Sequence, residues 1–106
     1  MSRREIQVSE TIAHLAAQFL ERESNHESLI TVTRADMSPD LKRVMIFISV
    51  LPEKFEEPAL AFVKRMRNEF RDYIKKHTRS GILPHIDFEI DYGEKNRQRI
   101  DDLTRK

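Results

Sequence analysis

The sequence predicts an α+β domain in which helices cover one face of a small three-stranded sheet, in the chain order α-β-β-α-β. Two observations predict this architecture. Apolar residues recur at helical spacing in two long segments, and they alternate with polar residues or with one another in three short segments, as they do along strands. The chain has 106 residues, a length that suits one domain with a single core.

Composition limits the classes of protein to which this chain can belong. Apolar residues make up 39% and charged residues 35%, a balance typical of a globular protein. No apolar run approaches the roughly 20 residues of a membrane helix, and the start MSRREIQVSE lacks the apolar centre of a signal peptide. Cysteine is absent, which excludes disulfides and thiolate metal sites. We therefore expect a cytoplasmic protein that does not enter a membrane.

The first helix is predicted from Ser9, a suitable N-cap, to about Arg22. Its apolar positions recur at helical spacing and should face the core. These positions are Val8, Ile12, Leu15, Ala16 and Phe19.

Two strands are predicted on either side of a tight turn at Pro39 and Asp40. The first runs from about Ser28 to Asp36, with Ile30 and Val32 on one face and Thr31 and Thr33 on the other. The second presents an apolar row on each face, which indicates a central strand or a second face that is partly covered. One row is Val44, Ile46, Ile48 and Val50, and the other is Met45 and Phe47.

A second helix is predicted from Ala59 to about Lys76, after which Gly81 and Pro84 prevent its continuation. A third strand follows from His85 to Tyr92. Its inward residues should be Ile86, Phe88, Ile90 and Tyr92, and its outward residues Asp87, Glu89 and Asp91. We expect residues 1–93 to form the domain and residues 94–106 to form a short helix or a flexible tail.

Positive charge collects on one flank of the second helix. The net charge is only +1, from 19 basic and 18 acidic residues, so a polyanion could be bound only through a local concentration of charge. At a helical rotation of about 100° per residue from Met66, the apolar stripe spans roughly −40° to +80°. Four cations then lie at roughly 100° to 180°, with no acid of the helix among them. They are Lys64, Arg67, Arg71 and Lys75, and Lys76, His77 and Arg79 extend the charge past the helix end.

This row has two interpretations that the residues alone leave open. A row of cations can follow successive phosphates of a nucleic acid and release their counterions. It can equally be a solvated helix face, with cations near the negative end of the helix dipole.

Other residues give no indication of catalysis. The four histidines are scattered without metal-ligand spacing. Asp87, Glu89 and Asp91 alternate along a strand, which a polar outward face explains better than a magnesium site. No glycine-rich phosphate loop and no nucleophile motif is present. We predict no catalytic residue, no metal site, no cofactor and no enzymatic activity.

Two short motifs resemble a known family. The stretch TVTRADMSPDLKRVMIFISVL, residues 31–51, is similar to the strand-turn-strand core of bacterial ribosome-binding factor A. The matching pieces are the Thr-Val-Thr at 31–33, the Ser-Pro-Asp-Leu at 38–41 and the Ser-Val-Leu at 49–51. A second match is RIDDL, residues 99–103, shortly after the third strand. The resemblance covers about residues 4–103.

The resemblance implies a type II KH-like domain that binds RNA. It further implies an assembly factor that binds the 30S ribosomal subunit through 16S ribosomal RNA during late maturation. Such a factor assists processing of the 5′ end of the precursor RNA and is not known as an enzyme. We expect this chain to be monomeric off the ribosome.

The resemblance also directs attention to the middle of the second helix. The Gly-X-X-Gly clamp of KH domains is missing here, and this family has an Ala-X-Gly kink between two helices instead. The equivalent place reads Met66-Arg67-Asn68. Asparagine tolerates left-handed and bridge conformations, so a kink at Asn68 is predicted, with a straighter helix left open as the alternative.

Our leading hypothesis is RNA binding through phosphate contacts, with specificity supplied by the shape of the folded RNA, because no aromatic platform for bases is obvious. The alternative is a protein-interaction module that uses the exposed sheet face at Met45 and Phe47, or a sheet edge. The predicted RNA-binding residues are Lys64, Arg67, Arg71, Lys75, Lys76, Arg79 and Asn68, with Arg34, Lys42 and Arg43 near the hairpin turn and Arg3 and Arg4 at the start as secondary candidates.

Overall fold

The computed structural model describes residues 3–78, 81, 83–93 and 96. Three helices and three strands are present in this part of the chain, together with a short 3-10 helix at Glu53–Phe55. The helices are α1 (Arg3–Glu23), α2 (Glu56–Arg65) and α3 (Arg67–His77), and the strands are β1 (Leu29–Met37), β2 (Arg43–Leu51) and β3 (His85–Ile90).

The sheet has the strand order β1-β2-β3, so β2 is central, as its two apolar faces indicated. Strands β1 and β2 pair antiparallel through the hairpin, whereas β2 and β3 pair parallel. A parallel pair needs a long crossover, and α2 and α3 supply it. The predicted α+β class is confirmed.

The core lies between the helices and one face of the sheet. The predicted inward residues of the two strands are buried. They are Val44, Ile46, Ile48 and Val50 on β2 and Ile86, Phe88 and Ile90 on β3. On the helices, the buried side chains include Phe19, Phe70 and Val63. The prediction for Tyr92 is wrong, because β3 ends at Ile90 and Tyr92 is 58% exposed.

Helix α1 begins six residues before the predicted N-cap. Ser9 is inside the helix and buried, and its hydroxyl donates a 3.0 Å hydrogen bond to the carbonyl oxygen of Ile6. A serine that bonds back to the preceding turn is satisfied without capping. The residues before it, RREIQ, include good helix formers, so the helix extends through them. The predicted apolar face is confirmed by the burial of Ile12, Leu15, Ala16 and Phe19.

Strand β1 contains a bulge at Thr33. Its register against β2 shifts between Val32 and Arg34, so one residue of β1 has no direct partner. Beyond the bulge the alternation changes phase: Arg34 is exposed and Ala35 is half-buried. The simple alternation predicted for this strand therefore holds only before Thr33.

The long helix predicted over 59–76 is divided at Met66. This residue has φ −91° and ψ 8°, and its N–H lies 3.2 Å from the carbonyl oxygen of Phe62 and 3.1 Å from that of Val63. The kink is thus confirmed in kind, but it lies two residues before Asn68, which is a regular residue of α3. The bridge conformation of Met66 is open to any L-residue, so neither glycine nor asparagine is required.

Candidate nucleic-acid interface

The four cations of the predicted flank come from both sides of the kink. Lys64 is in the last turn of α2, and Arg67, Arg71 and Lys75 follow along α3. Lys75 is exposed and the other three are half-buried. The flank therefore draws on both helices of a pair that packs on β3 through contacts such as Phe70 with Phe88.

Arg67 is not a free cation, because β3 places a carboxylate beside it. Its Nη1 donates to Oδ1 of Asp87 at 3.3 Å, and the two side chains are 41% and 37% exposed. The same Oδ1 accepts the backbone N–H of Phe88 at 2.8 Å. The helix alone contains no acid on this flank, so this pairing is a product of the tertiary fold.

The other three cations of the flank have no carboxylate partner in the part of the chain that the structure describes. Within the described residues, Lys64, Arg71 and Lys75 form no ion pair. The Nε atom of Arg71 is buried and has no acceptor there. A positive charge without a carboxylate beside it favours binding of an anion from another molecule.

The remaining helical candidates lie elsewhere. Lys76 belongs to the opposite flank of α3, where it lines a groove together with Glu69 and Asp72. Asn68 is exposed in the first turn of α3. Arg79 falls outside the described residues. Only Lys64, Arg67, Arg71 and Lys75 thus form one described row.

Lys42 and Arg43 lie at the end of the β1–β2 hairpin and are both exposed. The carbonyl oxygen of Lys42 accepts the N–H of His85 at 2.8 Å, so the hairpin end is beside the start of β3. These two cations can therefore contact an anion only at that end of the sheet.

The hairpin turn is held by side chains of its own residues. The Ser38 hydroxyl donates to Oδ1 of Asp40 at 2.6 Å and accepts the N–H of Arg43 at 3.0 Å, and the N–H of Lys42 donates to Asp40 at 3.0 Å. Hydrogen bonds from Ser38 and Lys42 hold the pKa of Asp40 below its ordinary value of 3.8. Ser38 and Asp40 therefore hold the shape of the turn.

Arg34 is engaged on the outer face of the sheet. Its guanidinium lies 4.2 Å from the centre of the Phe47 ring, and it pairs with Asp36 at 3.8 Å and with Asp91 at 3.9 Å. Asp91 also accepts a 2.6 Å hydrogen bond from the hydroxyl of Thr33. The prediction that Asp91 belongs to an exposed polar face is wrong, because the residue is 8% exposed.

Side chains of β3 cover two of the N–H groups on its free edge. Alternate N–H groups of this strand point away from β2, and two of them, those of Phe88 and Ile90, donate to the carboxylates of Asp87 and Glu89 at 2.8 Å and 3.0 Å. Covered N–H groups do not template the addition of another strand. The geometry therefore does not favour a protein interaction at this edge.

No described helix combines the length and the apolar character of a membrane span. In the same part of the chain, no three histidine or acidic side chains are grouped so that they could hold a metal ion.

The sequence model of the family described as Ribosome-binding factor A matches residues 4–104. The chain belongs to this family. Among curated ribosome-binding factor A proteins, one from Bradyrhizobium sp. strain ORS 278 is 31% identical, over 98% of this chain and 79% of the relative. Another, from Bradyrhizobium sp. strain BTAi1, is 33% identical over the same shares of the two chains. The resemblance found in the two sequence motifs is thereby confirmed.

Solved structures of ribosome-binding factor A share this fold. The crystal structure of the protein from Thermus thermophilus matches with a TM-score of 0.72 at 18% identity, over 81% of this chain and 94% of that one. The solution structure of a Thermotoga maritima protein described as a putative ribosome binding factor A matches with a TM-score of 0.71 at 20% identity, over 84% and 88% of the two chains. The predicted KH-like fold is confirmed.

A third match is a homology model of the Thermus thermophilus ribosome binding factor A, fitted into an electron cryomicroscopy map of a 30S complex. It has a TM-score of 0.66 at 20% identity and covers 85% of this chain and 93% of that one.

Proposed function

We propose that this chain binds the 30S ribosomal subunit through 16S ribosomal RNA and assists its late maturation, including processing of the 5′ end of the precursor RNA. It would do so in the cytoplasm, as a monomer when off the ribosome, and without catalysing a reaction or holding a cofactor. The observation that carries this proposal is the set of cations that form no ion pair with any described residue, namely Lys64, Arg71 and Lys75, in a member of the ribosome-binding factor A family. The 30S complex of the Thermus thermophilus relative supports the same partner.

Binding would depend on phosphate contacts along the α2–α3 row. Contacts to phosphates give affinity and orientation without reading a sequence, so recognition would come from the shape of the folded RNA. The net charge of +1 gives little attraction for RNA in general. We therefore expect weak binding to unstructured RNA and a preference for the assembled subunit.

Arg67 would exchange partners on binding. Its pair with Asp87 is about two-fifths exposed on both sides, and ion pairs of that exposure contribute roughly 0 to 1 kcal/mol. A phosphate can displace a carboxylate from so weak a pair. Asp87 would then limit the affinity of the row.

The decisive experiment reverses two charges that have no ion-pair partner among the residues described. The double variant K64E/K75E should lose co-sedimentation with small subunits, because phosphates would meet two carboxylates within the row. The fold should be unchanged by circular dichroism, since neither lysine forms an ion pair within the described residues.

The matched control is K54E/R65E, which changes the net charge by the same amount on exposed residues outside the row. Arg65 is adjacent to Lys64 in sequence but belongs to another helix face, in a groove with Phe62 and Pro58. Control protein should still sediment with subunits. Equal loss in both variants would contradict the row as the binding surface, and retention in both would do the same.

A further inference from the structure

Aromatic rings form a continuous column from the core to the surface between α1 and α3. The centre of Phe88 is 6.2 Å from that of Phe70, Phe70 is 5.3 Å from Phe19, and Phe19 is 5.4 Å from Tyr73. Tyr73 then stacks on His77 at 4.0 Å with an angle of 27° between the ring planes. His77 is exposed, so the column ends on a ring that is accessible from solvent.

The last two rings are held in place before any ligand arrives. Nδ1 of His77 lies 2.8 Å from the carbonyl oxygen of Tyr73, a geometry in which Nδ1–H donates. The Tyr73 hydroxyl donates to Gln18 at 3.4 Å, and the Arg22 guanidinium lies 5.2 Å from the ring centre. A platform that is already ordered loses little entropy when a planar group stacks on it.

A groove of about 280 Å³ opens beside this platform. Its apolar residues are Phe19 and Met66, and Lys76 contributes a positive charge. Glu69 and Asp72 also line it, and their carboxylates bond to no other described residue. The groove therefore combines a stacking surface, a cation and two exposed carboxylates that are available to a ligand, and it is larger than a purine base.

We propose that this groove binds an unpaired guanine of RNA. His77 would stack on the base, and a carboxylate of Asp72 or Glu69 would accept from the adjacent N1–H and N2–H donors of its Watson–Crick edge. Lys76 would neutralise the neighbouring phosphate. Adenine presents no such pair of adjacent donors, and a base-paired guanine has its donors occupied.

This inference rests on the proposed function, because it assigns a second contact to the same RNA. The two surfaces differ in chemistry. The row at Lys64, Arg71 and Lys75 is purely cationic and suits phosphates, whereas the groove has both signs of charge and suits a base edge.

The test uses the full chain, labelled with ¹³C and ¹⁵N, and three single-stranded RNA hexamers: all uridine, and uridine with one central guanine or one central adenine. The ring protons of His77 should shift upfield with the guanine hexamer, through the ring current of the stacked base. H77A should weaken binding of that hexamer about ten-fold, as loss of a stacked base predicts, with little change for the uridine hexamer. H26A, at an exposed histidine outside the column, is the matched control and should bind like the unaltered chain.

The double variant E69Q/D72N tests the carboxylates. It should reduce the difference in affinity between the hexamer with a guanine and the hexamer with an adenine. E57Q, at an exposed glutamate outside the groove, is the control and should keep that difference. A preference unchanged in E69Q/D72N would overturn the assignment of guanine.

The base site would be overturned if no hexamer shifted the NMR signals of the His77 ring protons. If H77A then still weakened co-sedimentation with subunits, the groove would be assigned to a protein contact instead. The proposed function is tested separately: if the unaltered chain fails to sediment with subunits, that function fails, whereas a guanine-specific shift would still establish the base site.

Discussion

Ser38 and Asp40 determine the conformation of the hairpin turn. Their side chains accept the N–H groups of Arg43 and Lys42. These bonds add to two backbone bonds of 2.9 Å, from the N–H of Leu41 to the carbonyl oxygen of Ser38 and from the N–H of Ser38 to that of Arg43. Leu41 is forced to φ 60°, a left-handed value that is rare for leucine, and its side chain packs against the core. Burial of an apolar side chain offsets the local strain.

We expect S38A to raise the pKa of Asp40 toward 3.8, because the Ser38 hydroxyl is the largest cause of its depression. A pKa that is lower in the folded than in the unfolded chain stabilises the fold above pH 3.8, and this stabilisation is lost as the pH falls through the folded value. The pKa of Asp40 is measured by following the NMR signal of its carboxyl carbon as the pH is changed. S28A, away from the turn, should leave the titration unchanged; a pKa unaffected by S38A would contradict the role of the hydroxyl.

Asp91 and Arg34 are charged residues whose contacts hold strands of the sheet together. Asp91 follows β3, yet its carboxylate binds Thr33 in the bulge of β1 and lies 3.9 Å from Arg34. This contact joins the two edge strands across the outer face of β2. Arg34 is therefore a weaker candidate for RNA than its exposure alone indicates.

At the scale of elements, Met66 joins α2 and α3, and each helix contributes cations to the row. Met66 stays in the bridge region, and its carbonyl oxygen accepts the N–H of Phe70 at 2.9 Å, so the helical course resumes at once. The row consequently spans two helices and lies beside the edge strand β3. That position explains why Arg67 meets Asp87.

We expect D87N to strengthen binding to small subunits by a few-fold at low salt, because it releases Arg67 from a weak ion pair. Asparagine keeps an oxygen that can accept the N–H of Phe88, so the strand edge stays covered. Equilibrium binding to purified subunits gives the affinity.

The control for D87N is E89Q. Glu89 covers the N–H of Ile90 as Asp87 covers that of Phe88, but it forms no ion pair with a described cation. E89Q removes the same charge as D87N. Equal gains in the two variants would show that general charge, rather than release of Arg67, changes the affinity.

At the scale of the whole molecule, charge is balanced overall and unequal locally. The net charge is +1, yet three cations of the α2–α3 row lack a carboxylate among the described residues. Attraction to RNA should therefore act at short range, over the row itself. The division into a domain of residues 1–93 and a tail of 94–106 stays a prediction, since most of the tail falls outside the described residues, as does the RIDDL motif.

We expect subunit binding to weaken about a hundred-fold between 50 and 200 mM monovalent salt at constant magnesium, as release of counterions from roughly four phosphates predicts. K64E/K75E should flatten this dependence, whereas K54E/R65E should not. A salt-independent affinity of the unaltered chain would exclude the cationic row and favour apolar association.

Much of the fold could be predicted because periodicity is a local property. The helical spacing of α1 and the apolar rows of β2 and β3 depend only on where neighbouring side chains point. The ends of helices and strands depend on contacts that a local pattern does not show. Ser9 suits an N-cap as well as the interior of a helix, and no residue before Thr33 predicts a bulge.

The site could be predicted only in part. The angular positions of Lys64, Arg71 and Lys75 were predicted from the helical rotation, which is a local property. The aromatic column was missed, because Phe19 and Tyr73 are 54 positions apart in the printed sequence and each resembles an ordinary core residue. The pairing of Tyr73 with His77 at helical spacing was its one local signal.

The sequence by itself determined the fold class, the order of helical and strand segments along the chain and the family, since these depend on local patterns and on motifs. Only the tertiary structure decided which charges remain available. The pairs Arg67–Asp87 and Thr33–Asp91 join residues 20 and 58 positions apart, and such pairs form only when strands and helices have packed. Packing thus engages Arg67 and Arg34 with carboxylates and leaves Lys64, Arg71 and Lys75 without one among the described residues.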